Sequence, residues 1–395
     1  MRAVSSSIKS GEARSLAGFL AVYSMLYCGF GAESAYLPAF LLDHGLPVER
    51  IGLVLAAGTA VRMAAGPAMG QWADASGARV RVFTIAALAS SGVGLMYLGA
   101  FGLIPLLVVG LAHAAVTAGL APLADALALL SARFPYGWVR GAGSAGFVLG
   151  TLVSGQAIDR LGLGFIIVAS SILFAVCALC AVRIEEPRGQ SKPTQAFTSG
   201  GVAVLLRIAD FRRIVLVAVL IIGSHALNDA FAVITWRAAG LDGGAVSLLW
   251  SESVAAEIAV FAFLGPWLLA RIGPARAAAI SAVAGIVRWG VMAFTTAIPA
   301  LVCVQALHGL TFALMHLAAM AVIARVVPGA LMATAQTVYG VFALGAASVL
   351  FTLTSGYLYQ TFGAPAFFVM AALCALALPL TPGLGRGLDT QRRAQ

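Results

Sequence analysis

Charge is scarce in this sequence. Asp, Glu, Lys and Arg make up only 10% of its 395 residues, against about a quarter in a soluble domain. With 61% hydrophobic residues and a mean hydropathy of +0.98, that deficit excludes an ordinary soluble protein and marks an integral membrane protein. Cysteine is scarce too. Cys28, Cys177, Cys180, Cys303 and Cys374 are scattered through apolar stretches. Cys177 and Cys180 lie one helical turn apart, but no second ligand pair follows, so they read as small apolar filler and not as a zinc site. Metal-ligand clusters and nucleophile motifs are missing, so the expectation is no enzyme, no metal and no cofactor. The short alternating segments of a membrane barrel are missing as well. The first apolar stretch, Leu16 to Leu42, is too long for the core of a cleavable signal.

What is present is a series of long apolar runs. A spanning helix needs about 20 largely apolar residues. Between Ile85 and Ala132 the one charged residue is Asp125, inside LAPLADALALL, so this segment holds two spans. The hydropathy pattern predicts twelve: residues 16–42, 48–72, 80–101, 103–131, 138–160, 162–182, 213–238, 243–270, 275–296, 298–325, 330–359 and 363–382. Several are long enough to be tilted. The expected fold is all-α, in a bacterial-type inner membrane, with lipid around it.

The formal net charge of +9 does not indicate nucleic acid. In the twelve-span topology 18 basic residues fall on one side, three (Arg50, Arg160 and Arg237) on the other, and three (Arg62, Arg140 and Arg288) within spans. The positive-inside rule then puts both termini in the cytoplasm. Residues 183–212 form the one long polar stretch. They divide the chain into an N-terminal half (1–182), a cytoplasmic loop, and a C-terminal half (213–395).

The halves repeat each other. Arg62 and Trp72 lie 17 and 27 residues after Gly45; Glu257 and Trp267 lie 17 and 27 residues after Gly240. LAHAA (111–115) and ALHGL (306–310) each place one histidine in the fourth and tenth spans. Ser154-Gly155 and Ser355-Gly356 match in the fifth and eleventh. Six spans return a chain to its starting side, so these are two parallel six-helix repeats, a transporter architecture. Arg62 and Glu257 become symmetry mates of opposite charge.

Charges inside a span are costly and usually functional. They are Glu33, Arg62, Asp125, Arg140, Asp229, Glu252, Glu257 and Arg288, with His225, His308 and His316 beside them. Asp125 lies ten residues before Pro135 and Arg140 five after it, so the two meet across the FPYG turn either as a substrate-binding pair or as a fixed ion pair. Arg288, 12 residues from Arg276, lies about 18 Å along its helix, near the midplane. His308 is at a similar depth, and His316 is eight residues on, roughly 80° round the helix. Gly143, Gly146, Gly150 and Gly155 on the fifth span read as close helix packing.

GQWADASGARVR (70–81) resembles the cytoplasmic signature of the major facilitator superfamily, with Gly70, Asp74, Gly77 and Arg79 in the expected places and Ser76 near the usual basic position. IGLVLAAGTAVRM, GSAGFVLG, GSHALNDAF, SLLWSESVAAEIAVF, GIVRWGVMAFTTAIP and LHGLTFALMHLAAM are similar to its phenylpropionate permease branch, a relative of the oligosaccharide–proton symporters. The resemblance implies a proton symporter. It implies gating by the Asp74 motif, substrate binding by Asp125 and Arg140, and proton coupling at Arg288 and His308. Thr311 stands where the symporters carry an essential acid. Glu257 is the expected replacement, with Asp229 second and His316 a further candidate.

The expectation is therefore import of a small organic solute with protons. The resemblance points to an aromatic acid such as 3-phenylpropionate. Arg62, Arg140 and Arg288 would attract its carboxylate, and Trp236, Trp250, Trp289 and Phe312 would receive its ring. A sugar or nucleoside suits the same charges. Efflux is a further alternative, though Gly150 and Gly155 are followed by Thr151 and Gln156 and not by the proline of the antiporter signature. A transporter-shaped sensor is a third. A monomer is the family expectation.

Overall fold

The computed structural model describes residues 2–131, 134–186 and 199–384. Of the loop expected at 183–212, residues 187–198 lie outside the described residues, as do the C-terminal residues 385–395. The described residues form helices and their connections, with no strand among them. Nine segments among them are long and apolar enough to cross a membrane. One of these, Gly243–Phe294, has 52 residues, more than twice the length one crossing needs.

Several expected spans are broken helices. The first is α1 (Arg2–Ser34) and α2 (Leu37–Asp43), separated by Ala35 and Tyr36. Pro38 opens α2, where its missing N–H and fixed φ suit a helix start. Next come α3 (Val48–Ser76) and α4 (Arg79–Leu95). The fourth expected span is α5 (Leu103–Thr117) and α6 (Leu120–Ser131), with the break at Ala118-Gly119. Met69 packs against Gly119 so closely that a Cβ there would lie 2.4 Å from its sulfur. Helices α7 (Tyr136–Leu161) and α8 (Gly164–Ala181) complete the first half.

The second half repeats the breaks. After α9 (Ser199–Arg207), the seventh expected span is α10 (Ala209–Gly223) and α11 (Ala226–Ala238). Ser224 sits in the break, its hydroxyl turned back to the Ile221 carbonyl at 2.6 Å, a side-chain bond that competes with the helix ladder. Then come α12 (Gly243–Ala259) and α13 (Gly265–Phe294). Gly273, at φ 76°, interrupts α13 just before Pro274, where the eighth and ninth spans were expected to part. The tenth is α14 (Ile298–Ala306) and α15 (Met315–Val326). After α16 (Met332–Tyr339) come α17 (Ala347–Phe362) and α18 (Phe367–Ala377). Counting Gly243–Phe294 twice, the helices follow the twelve expected stretches in order. Three π-helical turns, Val260–Leu264, Gly309–Leu314 and Gly340–Ala346, all lie in this half.

By contacts the chain forms two compact units, Met1–Thr194 with Asp242–Ser247, and Gln195–Leu241 with Leu248–Gln395. In the first, α1 lies along α7 and α8. The glycine spacing on α7 does what the sequence suggested. A Cβ on Gly150 would stand 2.1 Å from the Cys28 carbonyl oxygen, so the backbones touch through glycine alone. Phe19, Tyr23, Phe83 and Phe174 fill the core beside that contact. In the second unit Phe211, Val217, Leu314 and Val322 do the same. Large apolar side chains such as Phe263 and Phe294 (77% and 81% exposed) face outward, as a lipid-facing surface requires.

Candidate functional site

The polar side chains inside these helices gather in clusters. In the first unit, Asp125 on α6 and Arg140 on α7 approach to 3.7 Å, so the two charges do come together. Tyrosines, not a direct bond, occupy their strongest positions. Asp125 Oδ1 accepts from the Tyr23 hydroxyl at 2.6 Å and from the Tyr136 hydroxyl at 2.8 Å. Arg140 donates to the Tyr27 hydroxyl, and its guanidinium lies over the same ring, 5.2 Å from the centroid. Tyr23 and Tyr27 are four residues apart on α1 and so share a face; that spacing was the signal for them in the sequence. The side chains of Arg140 and Asp125 keep 43% and 32% of their surface exposed, so both are accessible to a ligand.

The second unit holds a longer chain of polar contacts. Arg288, on α13, is fully buried. Its Nη2 donates to Gln305 Oε1 at 2.8 Å, and its Nη1 to His308 Nδ1 at 2.9 Å and Thr311 Oγ1 at 3.4 Å. From His308 the chain passes to Glu257 on α12, with Nε2 3.3 Å from Oε2. Arginine can only donate, so Nδ1 of His308 must accept. The imidazole is therefore neutral, and its one proton sits on Nε2, facing the Glu257 carboxylate. Two π turns begin just after Glu257 and His308 and reset the helix phase there. Thr311 adds a hydroxyl that is fully buried. The carboxylate that reaches His308 comes from α12, as Glu257.

The other predicted residues of this unit sit around that chain. Trp289 is completely enclosed, donates Nε1–H to Ser224 Oγ at 2.8 Å, and lies under the Arg288 guanidinium at 4.4 Å. It supports Arg288 and offers no free face to a ring. Asp229 on α11 is exposed, accepts from Asn228 Nδ2 at 3.1 Å, and acts on Arg288 and His308 through space. His316 has Nδ1 3.2 Å from the Tyr339 hydroxyl, and Glu257 acts on it through space. His225, at the α10–α11 break, packs its ring 5.0 Å from His308 and 5.2 Å from Trp289. Among the described residues His225 Nε2, Asn228 Oδ1, Arg288 Nε and Gln305 Nε2 are buried without a hydrogen-bond partner. Such groups are normally satisfied, so this cluster has polar capacity to spare.

At the α3–α4 turn, Gly77 is left-handed at φ 62° and Arg79 Nε donates to Asp74 Oδ1 at 2.9 Å. Gly70 is nearby, with open space around it. Glu186 was not anticipated. Its carboxylate accepts the backbone N–H groups of Arg79 and Val80 at 2.8 and 2.9 Å, an anionic cap on α4. Arg62 is exposed on α3, within electrostatic reach of His113 and Tyr97.

With this geometry in view, the comparisons with known proteins are specific. The family model described as MFS_1 like family matches residues 16–370. The probable 3-phenylpropionic acid transporter of Escherichia coli (strain K12) is 32% identical over 366 residues, 91% of this chain and 95% of that one. The uncharacterized transporter YwbF of Bacillus subtilis (strain 168) is 21% identical over 370 residues, 92% of each. Among solved structures, the nucleoside transporter NupG superposes with a TM-score of 0.83 at 15% identity, over 93% of this chain and 98% of that one. A bacterial homologue of the human lysosomal transporter Spinster, inward-facing and unoccupied, gives 0.71 at 14%, over 95% and 97%.

Proposed function

The chain belongs to the MFS_1 like family of major facilitator transporters, and we propose that it is a proton-coupled importer of a small aromatic carboxylate such as 3-phenylpropionate, working as a monomer by alternating access. All twelve helical stretches then cross an inner membrane and both termini are cytoplasmic. The observation that carries the coupling is the chain Arg288–His308–Glu257, at 2.9 and 3.3 Å. The substrate class comes from the name of the Escherichia coli relative.

The mechanism follows from the fixed tautomer. His308 cannot take a second proton while Arg288 occupies Nδ1, so the transported proton goes to Glu257. An ionised Glu257 balances the charge of Arg288 through the imidazole. Protonation of Glu257 weakens that balance and leaves Asp229 as the carboxylate acting on Arg288, and a buried guanidinium short of negative charge attracts an anion strongly. The substrate carboxylate then binds because the proton has bound first. Loss of the proton on the cytoplasmic side restores the internal pairing and expels the anion. Asp125, Arg140 and Arg62 contribute substrate contacts, and Asp74 with Arg79 gates the cytoplasmic end.

The test is uptake of radiolabelled 3-phenylpropionate by cells making this chain, with and without a protonophore. Protonophore-sensitive accumulation is the expected result. Equal uptake in cells lacking the chain, with the protein shown to be in the membrane, refutes the substrate; sugars, nucleosides and efflux are then measured in the same cells.

A further inference from the structure

A second histidine–carboxylate pair lies in the first unit. Glu33, at the end of α1, and His113, on α5, are 6% and 2% exposed. Glu33 Oε2 is 3.9 Å from His113 Nε2. That distance is too long for a direct hydrogen bond and suits two groups bridged by one water. Among the described residues, His113 Nε2 has no hydrogen-bond partner, and neither has Ser171 Oγ on α8. A Cβ on Gly94 would lie 2.8 Å from Ser171 Oγ and 3.7 Å from His113 Nε2, so both atoms open onto one small space that glycine leaves free. The rings of Tyr97 and Phe174 wall it, 5.6 and 6.3 Å from the imidazole.

The repeat shows how this pair differs from Glu257–His308. Arg62 and His113 each lie 195 residues before their mates Glu257 and His308, and Glu33 lies 195 before Asn228, the neighbour of Asp229. The mate of Arg288 is Val93. Among the described residues no guanidinium holds a ring nitrogen of His113 as Arg288 holds His308, and Nε2 has no hydrogen-bond partner. The charges facing the pair are few. Arg62 on α3 acts on it through space. Helix α8 carries no charged residue. On α6 and α7, Asp125 and Arg140 are engaged with Tyr23 and Tyr27, the nearer of which is six residues from Glu33, about 9 Å along α1; at its other end α7 carries Asp159, which accepts the Gly243 N–H, and Arg160. The charges on α4, Arg79 and Arg81, lie in its first turn.

We propose that Glu33 and His113, with Ser171 and Arg62, form a second proton-binding site. The proton is shared between Glu33 Oε2 and His113 Nε2, and Arg62 balances the carboxylate when the proton leaves. The proposal rests on the importer reading only for its consequence, a second proton carried per cycle.

The test is an infrared pH titration of the full chain in liposomes, with its glutamates isotope-labelled so that their protonated carboxyl stretches are assigned. Glu33→Gln is expected to remove one titrating band, and Glu257→Gln a different one. His113→Gln is expected to shift the frequency of the Glu33 band, because that frequency reports hydrogen bonding. This arm keeps Glu33 in place and so remains decisive if Glu33→Gln does not fold. A Glu33 band unmoved in frequency and titration by His113→Gln overturns the shared site, whatever Glu257→Gln does. Loss of the Glu257 band with no effect on transport overturns the coupling reading and leaves this one standing.

Discussion

Replacing Glu257 by glutamine isolates the charge switch from the architecture around it. Nε2–H of His308 points at Glu257 from 3.3 Å, and a glutamine carbonyl oxygen accepts that bond in the same place. The change exchanges a charge-assisted hydrogen bond for a neutral one, worth about 1 kcal/mol less, which a membrane domain tolerates. Transport changes far more. Each coupled proton contributes about 1.4 kcal/mol per unit of pH gradient, a tenfold concentration ratio. In liposomes with a gradient of one unit and no potential, Glu257→Gln is therefore expected to lower steady-state accumulation about tenfold, while exchange of labelled for unlabelled substrate continues. The double variant with Glu33→Gln only equilibrates. Glu257→Ala, by contrast, strands the buried Nε2–H, at about 1–3 kcal/mol, and loses exchange as well. Accumulation by Glu257→Gln equal to that of the unaltered chain would refute the assignment of the proton to this residue.

Three further outcomes follow from the contacts. Asp125→Asn removes the anionic acceptor of two tyrosine hydroxyls, at 2.6 and 2.8 Å; a rise in KM of roughly tenfold, about 1.4 kcal/mol of binding, is expected in uptake kinetics, with a smaller rise for Tyr136→Phe. Arg288→Lys keeps the charge but cannot span Gln305 and His308 together, so accumulation is expected to fall while the protein still purifies as a folded species by size exclusion. Gly150→Ala drives a Cβ into the Cys28 carbonyl, whereas Gly141 faces open space. A destabilisation of about 1–3 kcal/mol is expected for the first, and little change for Gly141→Ala, in thermal unfolding in detergent.

Most of the fold is visible in the sequence because hydropathy over about 20 residues is a strong signal, and the glycines of α7 announce a close helix contact. The breaks are not visible. Gly223-Ser224-His225 and Thr117-Ala118-Gly119 read as continuous apolar spans; their interruption depends on Ser224 bonding its own backbone and on Met69 pressing against Gly119, both tertiary facts. The charged residues of the clusters are legible, since each stands alone in an apolar run. Their tyrosine and glutamine partners are not. Tyr23, Tyr27 and Gln305 look like ordinary span residues until the fold brings Asp125, Arg140 and Arg288 to them. Trp289 shows the reverse: an aromatic beside a functional arginine suggests a ligand face, yet packing encloses it entirely.

The two units share a scaffold but hold their histidines differently, and the difference has an electrical consequence. In the proposed mechanism Arg288 fixes His308 as a neutral donor, so this unit takes one proton, on Glu257. That proton and a monocarboxylate together carry no net charge, and transport by this unit alone ignores the membrane potential. Val93 stands where the first unit would need an arginine to fix His113, so under the proposal the Glu33–His113 pair adds a proton and the loaded carrier moves one positive charge inward. A potential of 100 mV, negative inside, contributes about 2.3 kcal/mol to that movement, roughly 50-fold in accumulation. In liposomes with a potassium diffusion potential and no pH gradient, the unaltered chain is expected to accumulate the acid to that extent, whereas Glu257→Gln and Glu33→Gln, each left with one proton that cancels the charge of the acid, are both expected to transport without responding to voltage. Uptake by the unaltered chain that is indifferent to potential would mean a single proton per cycle, and Glu33 would then be a structural partner of His113 alone.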